Sequence, residues 1–190
     1  LGSIAALMRN KWPDRIIVFF VTLITSMPSF VIATLLLYFF CIKLGVVQAF
    51  NSESNMVLLP VISLSLSPMA YITRLTKTSM LDALGQDYIR TAKAKGVSQA
   101  KVIFVHGLRN ALIPVITYVG PMIGGILTGS MVIESIFNIG GLGSKFVSCI
   151  TNRDYTMIMA TTLFLAVIMV FANLITDIVY KLIDPRISLD

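Results

Sequence analysis

The stretch "YTMIMATTLFLAVIMVFANLIT", residues 155–176, contains no charged side chain. A helix of about 20 apolar residues is long enough to cross the ~30 Å hydrocarbon core of a bilayer, so this stretch alone can span a membrane. Three further uncharged runs of 20 or more residues are bounded by Arg15 and Lys43, by Glu53 and Arg74, and by Arg109 and Glu134. The chain therefore contains four candidate membrane-spanning segments.

The overall composition indicates the same class of protein. Of the 190 residues, 56% are hydrophobic and 13% are charged, and the mean hydropathy is +0.87, whereas a soluble domain carries roughly a quarter charged residues. Within lipid, only helices and closed β-barrels satisfy every backbone polar group, and a barrel strand needs only about 9–11 residues. We therefore predict an all-α polytopic membrane protein with four full spans, at residues 16–42, 56–73, 110–133 and 156–180.

Basic side chains are concentrated on one side of the predicted spans. If the first span begins on the cytoplasmic side, the outer loops hold only Lys43, Lys145 and Arg153, and the inner segments hold the other twelve of the fifteen basic residues. This asymmetry is that of the positive-inside rule. It predicts that both ends of this stretch are cytoplasmic, with an inner loop at 74–109 and an outer loop at 134–155. Topology then explains the net charge of +6, and we do not predict nucleic-acid binding.

The inner loop contains "YIRTAKAKGVSQAKVIFVHGLRNALIP", Tyr88–Pro114. The absence of proline and the presence of alanines predict one helix over Met80–Lys95. Gly96 is suited to the left-handed conformation that ends a helix, and Ser98 can cap the next one. Small residues around Gly96 leave a low surface that the backbone of another protein can approach. The cations are compatible either with such a partner or with anionic lipid headgroups.

Polar residues and prolines within the spans are candidates for a transport pathway. Pro28, shortly after Ser26, should kink the first span, because proline removes a backbone hydrogen bond. Ser67 and Pro68 lie in the second span, and Asn173 lies in the fourth. Close helix packing accounts for the same residues as well as a polar pathway does.

Glycines recur in the third span and in the outer loop that follows it. The third span contains small residues four apart, which predict close helix packing, at Gly120, Gly124, Gly125 and Gly129. The glycine-rich run "ESIFNIGGLG", residues 134–143, lacks the spacing of a phosphate-binding loop.

The two cysteines, Cys41 and Cys149, are both predicted near the outer face. The sequence leaves a disulfide between them open, although two unpaired thiols are the simpler interpretation.

The inner loop resembles the EAA-type loop of bacterial ABC importer permeases, in particular those of the dipeptide, oligopeptide and nickel group. The resemblance rests on "YIRTAKAKG" followed by "LRNALIP". It extends to "AALMRNKWPD" at 5–14, "SMPSF" at 26–30, "ESIFNIGGLG" at 134–143, "NRDY" at 152–155 and "YKLIDPRI" at 180–187. Arg90, Thr91 and Ala92 stand where the general motif has Glu-Ala-Ala, so its acid is missing. The combination "IFNIGGLG" with "NRDY" is similar to the B-type subunit of the two paired permeases.

The resemblance implies a type I ABC importer transmembrane fold and a single permease domain over residues 1–190, preceded by a further N-terminal span. It implies a non-catalytic, pore-forming subunit in the bacterial cytoplasmic membrane that imports dipeptides or oligopeptides, with nickel chelates or glutathione as alternatives. The expected partners are a C-type permease, two ATPase subunits that bind ATP and Mg, an extracytoplasmic binding protein and membrane lipid. The residues expected to couple to an ATPase are Arg90, Thr91, Ala92, Lys93, Ala94, Lys95, Gly96, Val97 and Ser98. We predict no cofactor or metal on this chain.

Two other classes of function are compatible with a polytopic membrane protein. A passive channel would need no ATPase and would more often repeat a polar pore-lining signature. An intramembrane enzyme would need a catalytic constellation, and no HExxH, paired catalytic acids or Ser-Lys spacing occurs in the sequence.

The predicted topology can be tested with tags in the full-length protein. A tag inserted near Ser52 should react with an impermeant reagent added outside the cell, because that position follows the first outward span. A tag following Asp190 should react only after the cells are permeabilised. The opposite labelling pattern would overturn both the orientation and the loop assignment.

Overall fold

A computed structural model describes residues 1–47, 57–127 and 129–183. The helices are α1 Gly2–Leu7, α2 Trp12–Ser26, α3 Ser29–Leu36 with a π-helical continuation Leu37–Lys43, α4 Leu58–Gly85, α5 Asp87–Ala94, α6 Gln99–Lys101 with a π-helical continuation Val102–Leu108, α7 Arg109–Ala111, α8 Ile113–Leu127, α9 Met131–Ile136, α10 Leu142–Thr151 and α11 Tyr155–Ile183. All regular secondary structure in these ranges is helical, which confirms the all-α prediction. The predicted start of the second span, at residue 56, lies outside the described residues.

Two helices of the described chain, α4 and α11, are each long and apolar enough to cross a membrane. Two further spans result if α2 is joined with α3, and if the helical segment Gln99–Ala111 is joined with α8. By length and composition, the described residues thus contain two helices able to cross a membrane, or four spans if each bent pair counts as one, and four is the predicted number.

Pro28 interrupts the first predicted span completely. Helix α2 ends at Ser26 and α3 begins at Ser29, while Pro28 takes an extended conformation with φ −58° and ψ 143°. Proline lacks an N–H donor, and its ring disfavours a helical conformation at the preceding residue. The sequence predicts a kink at Pro28, and the structure instead has a complete break between two helices. Pro68, in contrast, lies inside α4 without ending the helix.

The predicted third span, 110–133, differs from the helix that the structure has. Helix α8 ends at Leu127, and residues from Met131 onward belong to α9. The cause is Gly129, whose φ of 83° cannot continue a helix. Ser130 then caps α9, since its hydroxyl accepts a hydrogen bond from the Ile133 N–H. The apolar pattern continues across this break, and therefore did not reveal it.

The predicted single helix over Met80–Lys95 is divided in two. Helix α4 continues to Gly85, twelve residues beyond the predicted end of the second span at residue 73. Gln86 is extended, with φ −75° and ψ 155°, and α5 starts at Asp87. Glycine has a low helix propensity, and an aspartate in the first turn is favourable near the positive end of the helix dipole. These two residues explain a break inside a segment without proline.

The described residues form two compact units. The first comprises Leu1–Thr25, Met69–Gly120 and the described part of Thr176–Asp190, with a core of Ala6, Met80, Ala83 and Ala111. The second comprises the described parts of Ser26–Pro68 and Pro121–Ile175, with a core of Ala33, Leu59, Ile133 and Phe137. The units are not successive domains of the sequence, because α4, α8 and α11 contribute residues to both.

Glycines allow α8 to approach α11 closely, as their spacing predicts. A Cβ added to Gly120 would collide with the side chain of Thr176. A Cβ added to Gly124 would lie 2.5 Å from the Met169 sulfur. Both neighbours belong to α11, so these contacts require the absence of a side chain.

Candidate functional site

Helix α5, which precedes Gly96, has one buried and one exposed face. Ile89 is 1% exposed and Ala92 is 9% exposed, and both pack against Val102 of the π-helical segment after α6. A spacing of three residues places these two side chains on the same side of the helix. We call the exposed residues around them the loop face; they are Arg90, Thr91, Lys93, Ala94, Lys95 and Gly96.

A Schellman motif ends α5. Gly96 has a φ of 77°, and its N–H donates to the Lys93 carbonyl at 3.0 Å. The Val97 N–H donates to the Ala92 carbonyl at 3.2 Å, and the Val97 side chain packs against the buried side of α5. This hydrogen-bond pair around a left-handed residue is the pattern of the motif. The predicted left-handed role of Gly96 is confirmed, and a Cβ added there meets no atom within 4 Å in this chain.

Among the nine residues predicted to couple to an ATPase, three have side-chain positions or hydrogen bonds that the sequence does not indicate. Ala92 is turned inward and Val97 is half-buried, so neither side chain lies on the loop face. Ser98 does occupy the N-cap position of α6, as predicted, but its hydroxyl makes no capping hydrogen bond. Because Ala92 and Ala94 are the same residue type, only packing against Val102 distinguishes the inward from the outward one.

The loop is connected to two long helices with little slack. Only Gln86 separates α5 from α4, and the segment Gln99–Ala111 continues into α8 with a bend of 43°. Ala111 packs with Met80 and Ala83 of α4 in one buried cluster. Helix α5 is therefore joined to α4 by one residue and packs against the segment that leads into α8.

The five candidate pathway residues occupy different environments. Ser26 and Pro28 are exposed at the break between α2 and α3, and Asn173 is exposed on α11. Ser67 and Pro68 are half-buried within α4. An exposed amide on an apolar helix is unfavourable against lipid, which favours a partner or an aqueous pathway beside Asn173. The role of these five residues in transport stays a prediction.

In the second unit, a buried carboxylate organises the glycine-rich run. Glu134 is 9% exposed; its Oε2 accepts a hydrogen bond from the Ser144 N–H at 2.6 Å, and its Oε1 accepts a weaker one from the Gly143 N–H at 3.4 Å. Both donors lie in the first turn of α10, where N–H groups lack intrahelical partners and the helix dipole favours an anion. Glu134 therefore caps α10 from outside the helix.

Glycines make room for this carboxylate. A Cβ added to Gly129 or Gly141 would collide with the carboxylate of Glu134, and one added to Gly143 would lie 2.8 Å from the Met131 backbone nitrogen. The run "ESIFNIGGLG" is therefore a structural unit in which the chain supplies its own anion to a helix N-terminus. The spacing test that excluded a phosphate-binding loop did not reveal this role. The available signal was an acidic residue placed shortly before consecutive glycines.

A second left-handed residue ends the helix that carries Glu134. Asn138 has a φ of 54°, and the following Ile139 N–H donates to the Glu134 carbonyl at 2.8 Å. Ile139 packs against the buried cluster that contains Ile133 and Phe137. The Glu134 carbonyl therefore accepts a hydrogen bond at the start of the connection between α9 and α10, and its carboxylate accepts hydrogen bonds at the end of that connection.

Neither metal ligation nor a disulfide links the described residues. No three His, Cys, Asp or Glu side chains among them lie close enough together to hold a metal ion. Cys41 and Cys149 are free, half-buried thiols.

The space around Glu134 can be tested with two neighbouring glycines. Gly141→Ala should lower the unfolding temperature of the purified full-length protein, because the added Cβ occupies the position of the carboxylate and overpacking costs about 1–3 kcal/mol. Gly140→Ala is the matched control, since a Cβ there meets no atom within 4 Å. Equal unfolding temperatures for the two variants would contradict the role of Glu134 as a cap.

The chain is similar to known transport proteins over its whole length. A family model described as "binding-protein-dependent transport system inner membrane component" matches residues 1–189. The chain is 50% identical over 191 residues to a dipeptide transport system permease protein of Bacillus subtilis (strain 168). It is 45% identical over 189 residues to an oligopeptide transport system permease protein of Haemophilus influenzae. It is 40% identical over 187 residues to a glutathione transport system permease protein of Escherichia coli (strain K12). These alignments cover 98–100% of this chain and 61–62% of the relatives, so the chain spans about three fifths of their length. The chain belongs to the family of inner membrane components of binding-protein-dependent transport systems, with the type I ABC importer transmembrane fold.

Proposed function

We propose that the full-length protein is a pore-forming permease subunit of an ABC importer that moves dipeptides or oligopeptides across the bacterial cytoplasmic membrane. The observation that carries this proposal is the end-to-end similarity of the chain to a dipeptide and an oligopeptide permease. Glutathione, itself a small peptide, is the second candidate substrate, because a relative that is 40% identical is named for its transport.

The loop face is proposed as the surface that binds an ATPase subunit. Its exposed cations and the open space at Gly96 suit the approach of another protein. With both ends of this stretch on the cytoplasmic side, the loop face is on the side where ATP is present. ATP and Mg are then bound by two ATPase subunits. A C-type permease completes the pore, and an extracytoplasmic binding protein delivers the substrate.

The packing of α5 supports a mechanical role for the loop. When the ATPase subunits close, a push on the loop face is passed through Ile89 and Ala92 to Val102, and then along the helical segment into α8. The single-residue connection at Gln86 passes the same push to α4. The two pathways shift the population between inward-open and outward-open states of the pore. This chain contributes the moving helices, and hydrolysis occurs on the partner subunits.

Cross-linking can test the contact with the ATPase. In the assembled transporter in native membranes, a cysteine at Ala94 should be captured by the ATPase subunit, because that side chain is on the loop face. A cysteine at Ala92 is the matched control and should react poorly, since it points toward Val102. Capture of lipid alone from Ala94 in an intact complex would contradict the proposed contact.

Substitutions of Gly96 should separate the strain of the turn from the bulk of the side chain. Gly96→Leu should abolish dipeptide uptake in cells or release the ATPase, although the protein still inserts, because the added side chain meets the partner and not this chain. Gly96→Ala should be milder, with strain of roughly 1 kcal/mol at positive φ. Uptake of labelled dipeptide, competition by glutathione, membrane abundance and ATPase retention are measured in the same cells.

Gly96→Asn provides the control for strain, because asparagine tolerates the left-handed conformation better than most residues. Loss of uptake in Gly96→Asn with mild loss in Gly96→Ala supports a close partner contact. The reverse order would show that the turn itself matters and that the loop face is not closely covered. Normal uptake by Gly96→Leu at normal abundance would remove the coupling role altogether.

A further inference from the structure

A groove of about 300 Å³ lies in the first unit between α2 and α4. One of its walls is apolar and is formed by Ile17, Val18 and Val21 of α2. The other wall belongs to α4 and includes Arg74 and Lys77. The groove therefore combines an apolar side with a cationic side.

The charge of the groove is carried mainly by Arg74. Lys77 is paired with Asp14, whose side chain is 7% exposed and whose carboxylate lies 2.5 Å from the Lys77 ammonium. Arg74 is exposed and takes part in neither of the two ion pairs found among the described residues. The hydroxyl of Thr73, also in the groove, donates its proton to the Met69 carbonyl at 2.7 Å. An anion in the groove would consequently be held by the guanidinium, with Lys77 nearby.

The groove lies where charged sequence meets apolar sequence. Arg74 directly follows the uncharged run that ends at Thr73, and Ile17 and Val18 stand at the start of the run that follows Arg15. Trp12, at the start of α2, is 76% exposed, and tryptophan is enriched at the headgroup level of membranes. These positions place the groove at headgroup depth, whichever side of the membrane it faces.

We propose that this groove binds an anionic phospholipid. The lipid phosphate pairs with the Arg74 guanidinium, whose planar set of N–H donors matches phosphate oxygens. One acyl chain follows the wall formed by Ile17, Val18 and Val21 toward the membrane interior. Basic pockets between membrane helices are recognised sites for anionic headgroups. A neighbouring helix would need an acidic side chain at the depth of Arg74 to match the same charge, whereas a phospholipid matches the cationic and the apolar wall together.

The test uses the full-length protein in its assembled transporter, purified in mild detergent and mixed with phosphatidylglycerol or phosphatidylcholine. Native mass spectrometry should show preferential retention of phosphatidylglycerol. Arg74→Gln should lower that retention roughly five- to tenfold, the effect of one basic residue near a headgroup. Arg74→Lys should retain most of it. Equal retention of the two lipids by the wild-type protein would overturn the proposal.

Arg15→Gln is the matched control, because Arg15 is exposed on α2 at the same end of the helix and does not line the groove. It should change phosphatidylglycerol retention by less than about twofold. A fall equal to that of Arg74→Gln would show diffuse surface attraction and refute a specific groove.

If Arg74→Gln impairs assembly, Val18→Gln tests the apolar wall without changing charge and should lower retention. Unchanged retention in Val18→Gln would overturn the acyl-chain position. Displacement of phosphatidylglycerol by inorganic phosphate would identify a free-anion site, and its failure to displace the lipid supports the proposal.

Discussion

The structure depends on one constraint: lipid provides no hydrogen-bond partners for the backbone. Every N–H and C=O group in the apolar runs must be paired within the chain, and a helix achieves this residue by residue. The consequence is visible where a helix is broken. At Pro28 the chain leaves the helix, but the Pro28 carbonyl immediately accepts hydrogen bonds from the Val31 and Ile32 N–H groups. The break is therefore confined to a short segment, and α3 begins at once.

Left-handed residues give the connections between helices a defined shape. Gly96, Asn138 and Arg153 have φ values of 77°, 54° and 56°. Each follows the end of a helix, and the N–H groups at and just after each one return to carbonyls of the last turn, as in the Arg153 N–H bond to Ile150 at 3.1 Å. Such turns satisfy the unpaired carbonyls and fix the direction of the next helix. A loop built in this way has a defined geometry, which the coupling role proposed for the loop face requires.

Among the described residues, Asp14 and Glu134 are buried acids, and each fixes one connection. In the first unit, Asp14 pairs with Lys77 and accepts a hydrogen bond from the Asn10 N–H at 2.9 Å, so it ties the turn between α1 and α2 to α4. In the second unit, Glu134 ties α9 to the start of α10 through the N–H groups of Gly143 and Ser144, from which its carboxylate accepts hydrogen bonds. A buried carboxylate that loses its partner is strongly destabilising. These contacts therefore restrict how the segments next to the long helices can rearrange, while the side chains of the loop face are exposed.

The sequence by itself determined the class of the protein, because uncharged runs of 20 or more residues leave a helix as the only backbone that lipid tolerates. It also determined local events with local causes, such as a disturbance of the helix at Pro28 and the left-handed conformation of Gly96, since each follows from the covalent structure of one residue. Only the tertiary structure decided which of two alanines, Ala92 or Ala94, faces inward, because that depends on the distant Val102. In the same way, an acidic residue before consecutive glycines is a signal in the sequence, but only the tertiary structure shows that the Glu134 carboxylate accepts hydrogen bonds from residues nine and ten positions later. The apolar pattern ran through Gly129 because hydrophobicity reports burial and not backbone conformation.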